Sequence, residues 1–351
     1  MTDILNQGLQ QRQAKVKTAK EYLARTRQLF NEFGSDQLKT TLSHFNGLAD
    51  ALNADEVRLV VLGEFSRGKS SLVNALLGIN LLPTAMEATT AINTFIRALP
   101  AGRTDRHIKV HYQNGTPDQE IPWLDDKALV SWGTELDAGH ADVRKTLDYI
   151  EVFMDHPLLQ KGLVLIDTPG LESVMEHHEM ITRRAIAESH IALWVQNTTQ
   201  LGGSASEWDF LEETLRTNFS KFITVVGWWD KVLEPEDSQD LQKSETQREE
   251  EKLERIRANF RKHLSDAREI ASLTGPEHLI PVSAKWAMTT DPEKQRRSNV
   301  NRLAERITNM FTSGEAMEQI YSKPLQQMTH IQNQLSTTLA DELQQLASDK
   351  T

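Results

Sequence analysis

Residues 63–70 read GEFSRGKS, and the residue types in this run suit a chain of phosphates. The spacing G-x-x-x-x-G-K-[ST] places two glycines where backbone N–H groups must turn inward onto anionic oxygens, then a lysine and a hydroxyl. The run follows the apolar RLVVLG and precedes the helical SSLVNALLG, so the positive end of a helix would lie beneath it. There Lys69 would neutralise the β- and γ-phosphates and Ser70 would bind Mg2+. Gly63, Glu64, Phe65, Ser66, Arg67, Gly68 and Ser71 complete the expected nucleotide contact. The competing reading is a glycine turn with no ligand.

Three more motifs follow along the chain. Asp167-Thr168-Pro169-Gly170 ends the run GLVLI. An aspartate there can reach Mg2+ through water, and the Gly170 N–H can meet the γ-phosphate, although D-T-P-G is also a common turn sequence. Ser283-Ala284-Lys285 follows the last apolar run, where a backbone N–H can meet a purine carbonyl and where serine also commonly caps a helix. Between them, VVGWWDKV (225–232) ends a strand in two indoles and an aspartate. A carboxylate accepts two hydrogen bonds from guanine, from the ring N–H and the amino group. Adenine presents an acceptor in place of the ring donor, at a cost of about 1–3 kcal/mol for the poorly paired charge. Asp230 is the residue for that task, with Lys231 beside it.

Positioning these motifs requires strand ends. Short aliphatic runs, RLVVLG (58–63), YIEVFMD (149–155), GLVLIDTPG (162–170), HIALWVQ (190–196), KFITVVG (221–227) and HLIPVS (278–283), alternate with helical stretches. This predicts an α/β domain with a mostly parallel, doubly wound sheet. YIEVFMD and GLVLID, joined only by HPLLQK, are expected to be antiparallel neighbours. HIKVHYQNGTP (107–117) predicts an extended piece with a turn at Asn114-Gly115. The charged stretch 234–266 reads as a solvated surface helix. Residues 3–53 carry a heptad-like stripe (Leu5, Leu9, Val16, Ala19, Leu23, Phe30, Phe33) and read as two helices broken near Gly34-Ser35. A second stripe runs from Met317 to Leu346, with Pro324 as a kink or hinge, and the two stripes are expected to pair.

Composition narrows the classes. The chain has 351 residues, 38% hydrophobic and 25% charged, which suits a soluble protein of one large domain with appendages or of two domains. No apolar stretch approaches the roughly 20 residues of a membrane span, and MTDILNQGLQQRQ lacks the apolar core of a signal peptide. The absence of cysteine excludes disulfides and thiolate metal sites and is compatible with the cytoplasm. A net charge of −11 argues against nucleic acid as a partner. The basic run Arg12–Arg27 reads as one face of a solvated helix, with contact to acidic lipid or an acidic partner as the alternative. Glu176-His177-His178-Glu179 lacks the H-E-x-x-H spacing of a metal site.

Phosphate loop, DTPG, x-x-x-D base reader and SAK occur in the order of a GTPase. The GEFSRGKSS loop, the long interval before DTPG and the flanking helical arms resemble the dynamin superfamily, particularly bacterial dynamin-like proteins and mitofusins. The resemblance implies three parts: neck helices at 1–54, a GTPase domain at 55–313 and a C-terminal neck helix at 314–351. It implies GTP and GDP as ligands, Mg2+ as cofactor, and a homodimer or a related dynamin-like partner across the GTPase face. Membrane fusion, fission or tubulation is the implied task, with lipid contact supplied by regions or partners outside this chain. The implied location is cytoplasmic or peripheral at the inner face of a membrane.

By the same resemblance LPTAMEATTA (82–91) is the first switch, with Thr90, then Thr89, as the threonine that closes over Mg2+. Ser66 matches a serine that helps position the γ-phosphate and the attacking water. Arg67 is either a charge stabiliser in catalysis or a surface arginine supporting a partner. The sequence departs from common GTPase patterns at three places, one of which, the missing glutamine, dynamin relatives share. Gly227 and Trp228 replace the usual Asn/Thr and Lys before Asp230, so that the motif resembles the mitofusin type. Leu171 stands where small signalling GTPases carry a catalytic glutamine, and Phe65 where many dynamins do. In the usual motif the lysine stem covers a face of the base; Trp228 can do so by stacking, worth about 1–3 kcal/mol, while Trp229 is expected in the core. Two buried indoles are the alternative. A nucleotide-gated scaffold with little turnover and a P-loop ATPase are the rival functions.

Overall fold

The computed structural model describes residues 56–64, 66–84, 92–112, 116–123, 129, 147–160, 162–169, 182, 185–199, 205–219 and 222–312. The helical stretches expected in 1–54 and 314–351 and the Asn114-Gly115 turn lie outside them. The chain divides into two compact units, Glu56–Asn309 and Met1–Asp55 with Met310–Thr351.

Within the larger unit nine strands form one sheet in the order β4-β3-β5-β2-β6-β1-β7-β8-β9. The strands are β1 Val57–Leu62, β2 Thr94–Ala98, β3 His107–Tyr112, β4 Gln119–Pro122, β5 Leu147–Met154, β6 Leu163–Asp167, β7 Ile191–Asn197, β8 Ile223–Gly227 and β9 Leu279–Pro281. β6, β1, β7, β8 and β9 run parallel to their neighbours in that order. Both faces of the central strand are covered: Leu59 and Val61 are as fully buried as Val60 and Leu62, which point the other way. An uninterrupted aliphatic run suits such a strand. Because β1 lies between β6 and β7, the strand order reverses at its carboxyl end, where open α/β sheets form their binding crevice.

One expectation is corrected. β5 and β6 run in opposite senses but are not neighbours, because β2 lies between them, parallel to β5 and antiparallel to β6. HPLLQK has to cross two strand spacings, roughly 10 Å, which six residues span easily. β3 pairs antiparallel with both β4 and β5.

The face of β1 carrying Val60 and Leu62 packs into an aromatic core. Trp194 of β7 meets Trp208, Phe222 and Phe260 edge-on, with ring centroids 5.6, 6.1 and 5.9 Å apart. Such pairs add about 0.5–1.5 kcal/mol each beyond their burial. Phe260 comes from the charged stretch, which forms a helix over Glu245–His263 opened by a Ser244–Gln247 capping box. Only Arg248, Ile256 and Phe260 of that helix are buried. It is a solvated helix seated on Ile256 and Phe260, with half-buried Leu253 packed against the same core.

Candidate functional site

The phosphate loop leaves β1 at Gly63, whose φ is 152°. A Cβ built there would stand 2.6 Å from the Val195 carbonyl oxygen of β7, so the neighbouring strand itself demands glycine. Ser66 holds φ 60°, a left-handed conformation seldom taken by serine, and its side chain is exposed. Gly68, φ 91°, caps helix α1 (Lys69–Leu77) without any side-chain acceptor. That leaves the first-turn amides and the helix dipole available to an anion. Ser71 lies in this first turn.

Lys69 is buried, and its Nζ donates to the Gly63 and Glu64 carbonyls, both at 3.0 Å. Burial pushes its pKa from 10.5 down to about 8; Asp167 counters this, and the Arg67 charge adds to the lowering. Ser70 donates to Asp167 Oδ2 at 2.8 Å, joining the loop to the end of β6. Asp167 is fully buried and stands in register with Val61 of β1 and Thr94 of β2. Thr168, inside the DTPG motif but not singled out from sequence, donates to the Val61 carbonyl at 2.8 Å and pins that turn.

A hydroxyl and a carboxylate are hard oxygen donors, and Mg2+ takes one or two such protein groups, completing its shell with water and phosphate. The pair Ser70–Asp167 fits that demand. No group of three or more His, Asp or Glu residues suited to a metal occurs among the described residues. Phe65, Thr89, Thr90, Gly170, Leu171 and Glu176–Glu179 lie outside the described residues. The described start of the stretch expected to be the first switch is anchored. Asn74 of α1 accepts from the amides of Leu81 and Leu82 at 3.0 and 2.8 Å and donates to the Leu82 carbonyl at 2.8 Å.

Arg67 is not a surface residue. It is 3% exposed, and its Nη2 donates to Glu64 and, at 3.1 Å, to Glu207 Oε2 of helix α2 (Ala205–Phe210). Glu207 is 0% exposed and accepts at Oε1 from Gln196 Nε2 of β7 at 3.1 Å. The surface alternative is therefore withdrawn. A guanidinium stays buried here because two carboxylates share it.

The candidate base-reading motif begins where β8 ends. A Cβ on Gly227 would stand 3.3 Å from the Gln196 carbonyl oxygen and 3.6 Å from that of Arg67. A side chain there would be tight against the Gln196 carbonyl and in ordinary contact with that of Arg67. Trp228 holds φ 58° and is half-buried; its indole Nε1 would be 3.4 Å from a Cβ on Gly68, so it packs against the phosphate loop. Lys231 Nζ lies 4.4 Å from the centre of the Trp228 ring, at cation–π distance. Thr198 donates from Oγ1 to the Trp228 carbonyl at 3.1 Å. Trp229, by contrast, is 1% exposed in the aromatic core and donates from Nε1 to Glu249 Oε1 at 3.1 Å.

Asp230 opens the short helix α3 (Asp230–Leu233), and its Oδ1 accepts from Ser283 Oγ at 2.8 Å. Ser283 is fully buried and caps the following turn of helix (Ala284–Ala287) by accepting from the Trp286 amide at 3.1 Å. Ala284 is half-buried and Lys285 exposed. The fold thus joins Ser70 to Asp167 and Asp230 to Ser283, and sets Trp228 between the two halves. Reading the sequence missed Glu207, Gln196 and Thr198. None carries a motif; each acts on residues distant in sequence.

Comparison with known proteins agrees with this geometry. Residues 59–229 match the family described as the dynamin family. The bacterial dynamin-like protein of Nostoc punctiforme is 29% identical over 196 residues, 54% of this chain and 27% of that protein. An uncharacterised protein of Caldicellulosiruptor sp. is 32% identical over 176 residues, 50% of this chain and 40% of that one. This chain therefore matches well under half the length of these relatives. A solved structure described as an oligomerised bacterial dynamin pair, with a mechanism for long-range sensing and tethering of membranes, superposes with a TM-score of 0.56. It is 18% identical and covers 95% of this chain and 58% of that one.

Proposed function

We propose, from the match of residues 59–229 to the dynamin family, that the chain binds and hydrolyses GTP. One observation carries this reading: the buried Lys69 ammonium and the Ser70–Asp167 pair lie at the switch point of the sheet, beneath a loop built on left-handed glycine. Lys69 and the loop amides would stabilise charge on the β- and γ-phosphates while water attacks in line. Ser70, Thr90 and, through water, Asp167 would hold Mg2+, which supplies positive charge to the phosphate oxygens when bound. Ser66 would help position the γ-phosphate. Asp230, held by Ser283, would accept from the guanine ring N–H and amino group, with Trp228 stacked on the base and the turn at Ser283–Lys285 meeting its carbonyl.

Loss of the γ-phosphate would release the contacts of Thr90 and Gly170, so that both loops relax. We propose further that two such domains face one another when loaded, as a homodimer or with a related dynamin-like partner. The chain ends, 1–54 and 314–351, would serve as a helical neck that transmits the change for membrane remodelling. No helix among the described residues is long and apolar enough to cross a membrane; lipid contact would come through other regions or partners, at the cytoplasmic face.

Phosphate release with GTP and with ATP, with and without Mg2+ and at several protein concentrations, tests this. GTP turnover whose specific rate rises with concentration is expected. Binding without turnover would leave a nucleotide-gated scaffold, and equal use of ATP would leave an ATPase. No calorimetric heat from any guanine nucleotide with Mg2+ would overturn the reading.

A further inference from the structure

We propose that Arg67 and Glu207 form a positioning pair that clamps the phosphate loop to helix α2, and that Arg67 shapes the nucleotide site through this pair without touching the phosphates. The inference rests on residues 63–70 being a phosphate cradle.

The geometry directs the guanidinium inward. Its Nη2 donates both to Glu64 within the loop and to Glu207 Oε2 at 3.1 Å, and Arg67 and Glu207 are 3% and 0% exposed. Gln196 Nε2 of β7 holds the other Glu207 oxygen at 3.1 Å, which fixes the carboxylate in place. The backbone repeats the link. The carbonyls of Arg67 and Gln196 both close on Gly227, one residue before Trp228. The loop is therefore held by α2 through the Arg67 side chain and lies against β7 and β8 through its main chain.

Such a clamp has work to do here. Ser66, the residue before Arg67, holds φ 60°, a conformation that persists in a non-glycine residue only when its surroundings impose it. A planar fork can serve two carboxylates at once, which an ammonium does less well. Removing the guanidinium would leave Glu64 and Glu207 as buried anions beside a site meant for phosphate. That repulsion acts on any bound phosphate chain, diphosphate or triphosphate alike. An arginine touching the γ-phosphate would instead leave the diphosphate unaffected. The two roles therefore predict different ligand dependence.

The full chain can be tested with fluorescent GDP, a fluorescent non-hydrolysable GTP analogue, and steady-state hydrolysis. Arg67→Met is expected to weaken both nucleotides by the same factor, about 30-fold, with kcat at saturation changed less than about threefold. Glu207→Gln, which keeps the shape and loses the charge, is expected to weaken both by about fivefold. Adding Glu207→Gln to Arg67→Met should recover about five- to tenfold in affinity, because one of the two carboxylates that shared the guanidinium loses its charge. A merely structural contact gives no such recovery.

Unchanged GDP affinity in Arg67→Met with a fall in kcat would overturn the inference and place Arg67 on the γ-phosphate. Additive losses in the double variant would overturn it too. Should Arg67→Met not fold, as judged by circular dichroism, Glu207→Gln and the charge-matched double variant carry the same comparison, and wild-type GDP affinity in Glu207→Gln would refute the clamp. Wild-type chain that binds neither nucleotide, or Lys69→Ala that binds both normally, would sink the cradle reading itself. Normal wild-type binding with variants indistinguishable from it would sink only the pair.

Discussion

Filling the phosphate site should draw in a proton at alkaline pH, and Lys69 sets how many. Its ammonium is buried against two carbonyls, and desolvation lowers its pKa from 10.5 to about 8 in the folded chain. A shift of that size means that folding the charged form costs about 3 kcal/mol below pH 8. Between pH 8 and 10.5 the unfolded chain holds a proton that the folded chain has lost. Taken alone, this group therefore makes stability rise with pH across that window. A bound triphosphate reverses the balance by placing anionic oxygens against the ammonium, so that Lys69 stays charged. Uptake on binding should be about 0.1 proton at pH 7, 0.5 at pH 8 and 0.9 at pH 9. The last phosphate proton, with a pKa of about 6, does not confuse the result above pH 8. Isothermal titration of a non-hydrolysable GTP analogue with Mg2+, in pairs of buffers of different ionisation enthalpy, reads the uptake directly. Lys69→Arg, which keeps its charge throughout, should abolish it. A flat, near-zero uptake from pH 7 to 9, or uptake that persists in Lys69→Arg, would refute the assignment of the buried ammonium to the phosphates.

Four other substitutions separate packing from recognition. Gly63→Ala drives a Cβ to 2.6 Å from the Val195 carbonyl at φ 152°, so a loss of about 3 kcal/mol or more is expected in chemical denaturation, together with nucleotide binding. The two indoles should part company. Trp229→Ala empties a core position that is 1% exposed and should cost about 3–5 kcal/mol of stability. Trp228→Ala should leave the melting temperature nearly unchanged while weakening GDP by about 5- to 150-fold, or about 1–3 kcal/mol; equal melting losses in the two variants would refute the division. Asp230→Asn should shift preference from guanine to xanthine nucleotides, measured by competition against fluorescent GDP. Undiminished GTP affinity in that variant would remove Asp230 from base recognition.

The phosphate loop was legible from eight contiguous residues, because a glycine turn between a strand and a helix is a local structure with local causes. The same holds for the strand end bearing Asp167 and the one three residues before Asp230, announced by aliphatic runs that stop at a turn. Strand neighbours were not legible. A short connection between β5 and β6 is compatible with adjacency and with an intervening strand, and only the pairing of β2 decides between them. Nor could sequence tell Trp228 from Trp229, identical side chains in adjacent positions. One is aimed at the phosphate loop by a left-handed backbone, and the other drops into the aromatic core. The fate of Arg67 was settled furthest away, by a glutamate 140 residues along the chain. Backbone conformation and hydrophobic period are written in consecutive residues. The partners of a buried charge are whatever the closed sheet brings beside it, and only the folded chain selects them.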